Sequence, residues 1–339
     1  MSAILEALHR VVAGESLKAA AAEATLEEVL GGGVSPQLVA ALLTALRMKG
    51  ETAEELVGFA RALRARAVRV ECGEDSRPLI DVSGTGGDEA ATFNISTAAA
   101  LVAAGAGARV AKHGNRSISS KCGSADVLEE LGVRLDPGAE QAGRCVREAG
   151  IGFLFAPAFH PAMKHVQPIR TELKMRTIFN VLGPLANPAG ADYQLIGVFA
   201  GRLVPLVGEA LAELGVKRGL VVHGEDGLDE ITTTGRTLAA SIEDGLVRTF
   251  ALSPADFGVA PATGKKLAGG DRKQNATLVR RVLAREPGPQ RDIVLVNAAA
   301  ALVTCELARD WGSGMTMARE SIDSGRAMEK LTRLIEFSR

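Results

Sequence analysis

The chain has 339 residues, of which 47% are hydrophobic and 4% aromatic, with 39 basic and 40 acidic side chains and a formal net charge of −1. That length buries a large core in one big domain or two smaller ones. The balanced charge supplies no global field for nucleic acid or a membrane surface, and a single Trp and a single Tyr build no stacking platform for single-stranded nucleic acid.

Residues 1 to about 70 read as helices only. Ile4, Leu5, Leu8, Val11 and Val12 mark one apolar face. Ser35 before Pro36 is a cap with a first-turn proline, and Thr52 with Glu55 spells a capping box ahead of Leu56, Phe59 and Leu63. From Leu79 onward strand-like runs alternate with helical ones: 78–82, 108–111, 151–154, 195–198, 220–222 and 238–242. This alternation predicts an α/β fold with a mostly parallel sheet flanked by helices, attached to the small N-terminal helical domain. The segment from His160 to Leu185 interrupts the alternation with two helical stretches and reads as a bridge back to the helical domain. The expected division is therefore 1–70 with bridging helices at about 161–185, against 75–160 with 186–339. Gly264 to Asn275 is polar enough for a mobile loop, and Ile293 to Val296 is a short apolar run leading into Asn297 and an alanine helix.

Three Gly/Ser/Thr/Asn clusters lie between Asp81 and Asp126. An apolar strand breaks into Gly84-Thr85-Gly86-Gly87-Asp88, where glycine lets backbone amides approach an anion closely. Thr92, Asn94, Ile95, Ser96 and Thr97 then lead into an alanine-rich helix, Ala98 to Ala106, whose first turn points free N–H groups and a positive dipole end at whatever the loop holds. The next strand delivers Lys112, His113, Gly114, Asn115, Arg116 and Ser117, followed by Ser119, Ser120 and Lys121. Two loops at the carboxyl ends of neighbouring strands, one rich in amides and hydroxyls and the other in cations, make a cradle for phosphates, with Lys112 as a point cation. A tight glycine turn or a solvated charged turn would bind nothing, and one helix cap would need only one of these hydroxyls. The block is neither a P-loop nor a GxGxxG fingerprint.

These strings, in order, resemble the anthranilate phosphoribosyltransferases: Gly84 to Asp88, Asn94 to Thr97, Lys112 to Arg116, Gly123-Ser124-Ala125-Asp126, His160 to His165, Arg176 to Asn180, Leu182 to Leu185, and Gly227-Leu228-Asp229-Glu230. The resemblance covers nearly the whole chain. It implies transfer of the phosphoribosyl group of 5-phosphoribosyl 1-diphosphate to the amine of anthranilate, releasing pyrophosphate, in tryptophan biosynthesis. It assigns the phosphoribosyl diphosphate to Gly84, Gly87, Asp88, Thr92, Asn94 to Thr97, Lys112 to Ser117, Ile118, Ser119, Ser120 and Ser124. Anthranilate falls to Gly84, Asn115 and Arg170, whose guanidinium can grip a planar carboxylate, with His113, His160 and Met163 as possible walls. Mg²⁺ falls to Ser96, Asp229 and Glu230. From the residues alone, Asp229 and Glu230 are no more than adjacent acids on a loop, and Glu225 and Asp226 offer the same chemistry beside them. A homodimer through the helical domain is also implied.

Three positions depart from the family's pattern: Ser83, Glu89 and Lys174, the last where glycine is usual. Two rivals remain at this stage. A nucleoside phosphorylase of related fold gives no reason for Asp229 and Glu230, and a silent nucleic-acid-binding relative would carry basic excess and lack those acids. Cys72, Cys122, Cys145 and Cys305 lie far apart with no CxxC spacing, and no leader or bilayer-length apolar run is visible. A soluble, cytoplasmic protein with reduced thiols is expected.

Overall fold

The structure is a computed structural model and describes residues 2–88, 90–117 and 121–339. Glu89, Ile118, Ser119 and Ser120 lie outside the described residues.

Four helices open the chain: α1 (Ala3–Val12), α2 (Ala19–Gly31), α3 (Pro36–Lys49) and α4 (Ala53–Ala65). The caps read from sequence form as expected. Ser35 Oγ accepts from Leu38 N at 3.3 Å, and Thr52 and Glu55 exchange side-chain to backbone hydrogen bonds. Ile4, Val11, Leu26, Leu43, Leu46, Leu56 and Phe59 fill the core between these helices. Val12 departs from the predicted face; it is 71% exposed, because it lies one step around the helix from Val11.

The sheet comprises β1 (Leu79–Gly84), β2 (Arg109–Gly114), β3 (Ile151–Phe155), β4 (Tyr193–Gly197), β5 (Arg218–Gly224), β6 (Thr237–Glu243) and β7 (Leu246–Leu252), in the order β3-β2-β1-β4-β5-β6-β7. The first five in that order are mutually parallel, while β6 and β7 are antiparallel. β6 is the run expected at 238–242. The sequence reading missed β7, whose mostly exposed face hides the alternation. The chain winds outward from β1 to β3 and then returns to place β4 on the other side of β1. The switch point between β1 and β4 is where the loops leaving the sheet diverge.

The remaining helices are α5 (Ile95–Gly105), α6 (Ser124–Leu131), α7 (Ala139–Arg144), α8 (Ala156–Phe159), α9 (Gln167–Leu173), α10 (Phe179–Leu185), α11 (Leu203–Glu213), α12 (Gly264–Leu267), α13 (Arg272–Leu283), α14 (Pro289–Thr304), α15 (Trp311–Asp323) and α16 (Arg326–Phe337). Small side chains set the packing around α5. Ala98 to Ala104 are essentially inaccessible, and a Cβ on Gly105 would come within 2.3 Å of Ser321 Oγ. Helix α14 packs on α5 just as tightly, and the apolar run Ile293 to Val296 is part of it. The bridge returns to the helical bundle as its pattern suggests: residues 161–165 rest on α2, α9 on α3, and α10 on α4.

Two predictions need correction. Gly264 to Asn275 is ordered, because Asp271 and Gln274 form a capping box for α13 and Thr92 pairs with Ala268 in an isolated bridge. Strand β2 also runs to Gly114, so Lys112 and His113 belong to the sheet and not to the loop.

Lys174 ends α9 in the left-handed region, φ 46° and ψ 31°. A side chain there costs about 1 kcal/mol relative to glycine. Lys174→Gly should therefore raise the thermal midpoint by about 2 °C, read by differential scanning calorimetry; an unchanged or lower midpoint would show that the strain is absent.

Candidate active site

At the carboxyl end of β1 the chain turns through Gly86 (φ 64°) and Gly87 (φ 76°), conformations that suit glycine. Strand β5 ends at Gly224, and its outgoing loop crosses back over β1 and β4. Gly224 N donates to Leu228 O at 2.8 Å, and the loop then presents Asp229 and Glu230. Asp229 Oδ2 accepts from Gly86 N at 2.7 Å, and Glu230 Oε1 accepts from Ser96 N at 2.9 Å. Glu230 thus occupies the mouth of α5, which explains why the helix begins at Ile95, before the predicted Ala98.

The loop can sit so low because two paired strand-end residues have no side chain. Gly84 and Gly197 are register partners; a Cβ on Gly84 would lie 2.5 Å from Asp229 Oδ2, and one on Gly197 would lie 1.5 Å from Asp229 O. Gly197 is a site residue that sequence reasoning missed; its only signal was a glycine closing an apolar strand.

Lys112 lies beneath this pair, 3% exposed. Its Nζ donates to Val82 O and to Ser96 Oγ at 3.3 Å, leaving one of three donors free of those two bonds. Burial lowers its pKa, opposed by the charges of Asp81, Glu230 and Asp229. Burial likewise pushes both carboxyls up, with repulsion from Asp88 acting on Asp229 and repulsion from Asp229 acting on Glu230. Lys112 therefore supports the acids and Ser96 from below the cradle.

The second loop is held by its own acids. Asp126 accepts from Gly123 N at 2.8 Å and Ser117 N at 3.1 Å, and Arg116 is bound to both Asp126 and Glu129. Asn115 O receives Ala125 N and Ser124 Oγ. A Cβ on Gly114 would fall 2.3 Å from Ser124 Oγ, so these predicted residues do converge. Asn94 does not cap α5 with its side chain; its amide joins Cys122 and Asn275. Thr97 faces inward, lining a small internal void with Leu101 and Leu128, and only its backbone N–H belongs to the helix mouth. Ile95 is also buried. Thr92 and Asp88 stay at the rim, Asp88 Oδ1 accepting from Ala90 N at 3.4 Å.

The bridge contributes from the other side. Arg176 donates to Gly87 O and lies over the Phe199 ring at 4.4 Å, tying the bridge to the glycine loop. Arg170 keeps within its own segment, over Phe179 at 5.6 Å and 3.5 Å from Gln167 Oε1. The buried rings of His113 and His160 meet at 5.1 Å, and His113 Nδ1 lies 2.9 Å from Gly183 O. Burial and the neighbouring His160 hold the His113 pKa down to about 3, so His113 is neutral at pH 7. Met163 is partly buried against the helical core. Of the rival acids, Asp226 is consumed by Thr232 and Thr234, and Glu225 is exposed.

Gly84→Ala should displace only the end of a flexible side chain and keep the melting temperature within about 2 °C, whereas Gly197→Ala drives Cβ into backbone and should lower it by about 4 °C or more. Equal melting temperatures for the two variants would contradict this account of the loop's seating.

The regions around this site match two family models, "Glycosyl transferase family, helical bundle domain" over residues 5–67 and "Glycosyl transferase family, a/b domain" over residues 76–328. The anthranilate phosphoribosyltransferase of Solibacter usitatus is 54% identical over 335 residues, covering 99% of this chain and 98% of the relative. That of Desulforamulus reducens is 50% identical over 335 residues, covering 99% and 96%. Among solved structures, anthranilate phosphoribosyltransferase from Thermus thermophilus superposes with TM-score 0.93 at 44% identity, covering 100% of this chain and 99% of that one. The Saccharomyces cerevisiae enzyme in complex with PRPP and Mg gives TM-score 0.88 at 30% identity, covering 99% and 97%. With this identity along its whole length, the chain belongs to the anthranilate phosphoribosyltransferase family.

Proposed function

We propose that Asp229, Glu230 and Ser96 carry the metal, and that the glycine loop and the Asn115–Ser124 loop carry the phosphates, in the reaction of this family. The chain transfers the phosphoribosyl group of 5-phosphoribosyl 1-diphosphate to the amine of anthranilate, forming N-(5-phosphoribosyl)anthranilate and pyrophosphate in tryptophan biosynthesis, with Mg²⁺ as cofactor. Family membership sets aside both the phosphorylase and the silent nucleic-acid-binding rival.

The observation that carries the site assignment is the convergence of two neighbouring carboxylates on backbone N–H groups of the glycine turn and of the α5 mouth, Asp229 on Gly86 and Glu230 on Ser96. The donor set fits Mg²⁺, which takes hard oxygen ligands from one or two carboxylates and completes its shell with substrate phosphate and water. Burial, with repulsion among the acids added to it, raises both carboxyl pKa values, and a divalent cation would favour the ionised carboxylates against both effects. Bound there, Mg²⁺ would offset the negative charge that grows on the diphosphate as the C1–O bond breaks. The protein's own part is positional. Gly86 N–H and the mouth of α5 fix the two acids where the metal and diphosphate are assigned, and Lys112 holds Ser96 in place. The aryl amine is neutral at pH 7 and attacks without a strong base, so the neutral His113 and His160 serve as walls.

Arg170 is assigned to the anthranilate carboxylate with Asn115 and Gly84, and residues 1–70 with about 161–185 are taken as one domain against 75–160 with 186–339. Support for that division comes from the packing of the bridge on α2, α3 and α4. Ile118, Ser119 and Ser120 are assigned to the phosphates with their neighbours. We also place a homodimer contact on the helical domain, where Val12 is 71% and Met48 83% exposed, and locate the protein in the cytoplasm. No helix among the described residues is long and apolar enough to cross a membrane. Sedimentation equilibrium reads the dimer directly; a monomer mass at micromolar concentration would sink it.

Fluorescence-detected turnover tests the site. Asp229→Ala combined with Glu230→Ala should fold normally and lose about 10²-fold or more in kcat/KM for phosphoribosyl diphosphate. Arg170→Ala should instead raise KM for anthranilate about tenfold and spare that for phosphoribosyl diphosphate. Wild-type turnover in the double variant, or an unchanged anthranilate KM in the single one, would refute the respective assignment.

A further inference from the structure

Asp229 and Glu230 are held on either side by hydrogen bonds to their chain neighbours Leu228 and Ile231. On the amino side, Gly224 N donates to Leu228 O at 2.8 Å, with Leu228 fully buried. On the carboxyl side, the next residue, Ile231, is gripped by one side chain from α14. Asn297 Oδ1 accepts from Ile231 N at 3.0 Å, and Asn297 Nδ2 donates to Ile231 O at 2.9 Å and to Ile293 O at 2.9 Å. Both amide hydrogens and the carbonyl oxygen are used, and Asn297 has 0% exposure.

A buried asparagine in the middle of an alanine helix packs poorly unless its hydrogen bonds are needed. Here they replace a missing strand partner: Ile231 follows the loop, belongs to no strand, and is 1% exposed, so its N–H and C=O have no access to water. The bond to Ile231 N fixes the peptide plane that begins at the Glu230 carbonyl, and the bond to Ile231 O fixes the next plane. The Cα of Glu230 is thereby anchored to α14, which packs on α5, the helix whose Ser96 N–H meets Glu230. One helix pair therefore carries both the acid and the helix mouth it faces.

We propose that Asn297 is a positioning residue for the metal-binding acids, setting Glu230 and Asp229 at the α5 mouth by clamping Ile231. This rests on the assignment of Asp229 and Glu230 to the metal. The alternative is a buried polar residue that only stabilises α14. Thr304, on the same helix, supplies the comparison: it is 6% exposed and donates Oγ1 to Ala300 O at 2.8 Å without touching the loop.

The test uses the full-length enzyme with Mn²⁺ as a paramagnetic stand-in, titrated in the presence of phosphoribosyl diphosphate with free Mn²⁺ counted by electron paramagnetic resonance. Asn297→Leu keeps the volume and removes the clamp. It should weaken Mn²⁺ binding about tenfold or more, the size typical of groups that orient metal ligands, and hasten hydrogen exchange of peptides spanning 227–233. KM for anthranilate should stay within about twofold, and Thr304→Val should leave Mn²⁺ binding within about twofold. Should Asn297→Leu fail to fold, Asn297→Ser takes its place with the same expectation. Mn²⁺ binding at the wild-type level in the folded Asn297 variant, or an equal loss in Thr304→Val, would overturn the proposal. The double variant Asp229→Ala with Glu230→Ala separates the two levels. If it too binds Mn²⁺ normally, the metal assignment itself fails; if it loses binding while the Asn297 variant does not, only the clamp fails.

Discussion

The site depends on one close approach. The loop leaving β5 must cross the ends of β1 and β4, and it can do so because Gly197 presents bare backbone to the Asp229 backbone, while its partner Gly84 leaves room for the Asp229 carboxylate. That crossing brings Asp229 against Gly86 and Glu230 against Ser96, joining the switch point of the sheet, the glycine turn and the mouth of α5 in one place. Parallel α/β sheets open a crevice where the strand order reverses. In this chain the reversal lies between β1 and β4, and the acids lie directly over it.

Small residues extend the same economy through the core. The alanines of α5 and α14 let two helices lie close behind the sheet; the polar groups α14 buries, Asn297 and Thr304, are satisfied by backbone, whereas Thr97 Oγ1 on α5 meets no partner among the described residues. Such packing is stiff, because close-packed interiors leave side chains little room to shift. Stiffness suits catalysis that rests on holding two substrates and a cation in register. The second loop is organised differently, by the half-buried Asp126 and the exposed Glu129. Asp126 clasps Ser117 and Gly123, while Arg116 is engaged by Asp126 and Glu129. The rigid half of the cradle is therefore built on helix α5 and the softer half on surface ion pairs, each of which contributes little to stability.

Much of this was legible in the sequence. Capping residues at Ser35 and Thr52, the strand alternation from Leu79 and the glycine and cation clusters each carry a local physical signal, and they placed the helical bundle, the sheet and both loops. Long-range partnerships were not readable. Asp229 and Glu230 stood apart from Glu225 and Asp226 only through the family resemblance, because what separates them is which peptide N–H each meets 134 or 143 residues away. Gly197 looked like any strand-end glycine, Asn275 like part of a loose polar stretch, and β7 like a solvated segment. Lys112 was placed one layer too high, since a lysine beside glycine reads as loop until the register of β2 with β3 shows it inside the sheet.

The central claim, that Asp229 and Glu230 at the α5 mouth bind the metal that accompanies the diphosphate, is tested most directly by anomalous scattering from Mn²⁺ in crystals grown with phosphoribosyl diphosphate. The account predicts an anomalous peak about 2.2 Å from a carboxylate oxygen of Asp229 or Glu230. A peak held by diphosphate and water alone, more than about 5 Å from both carboxylates, would contradict it.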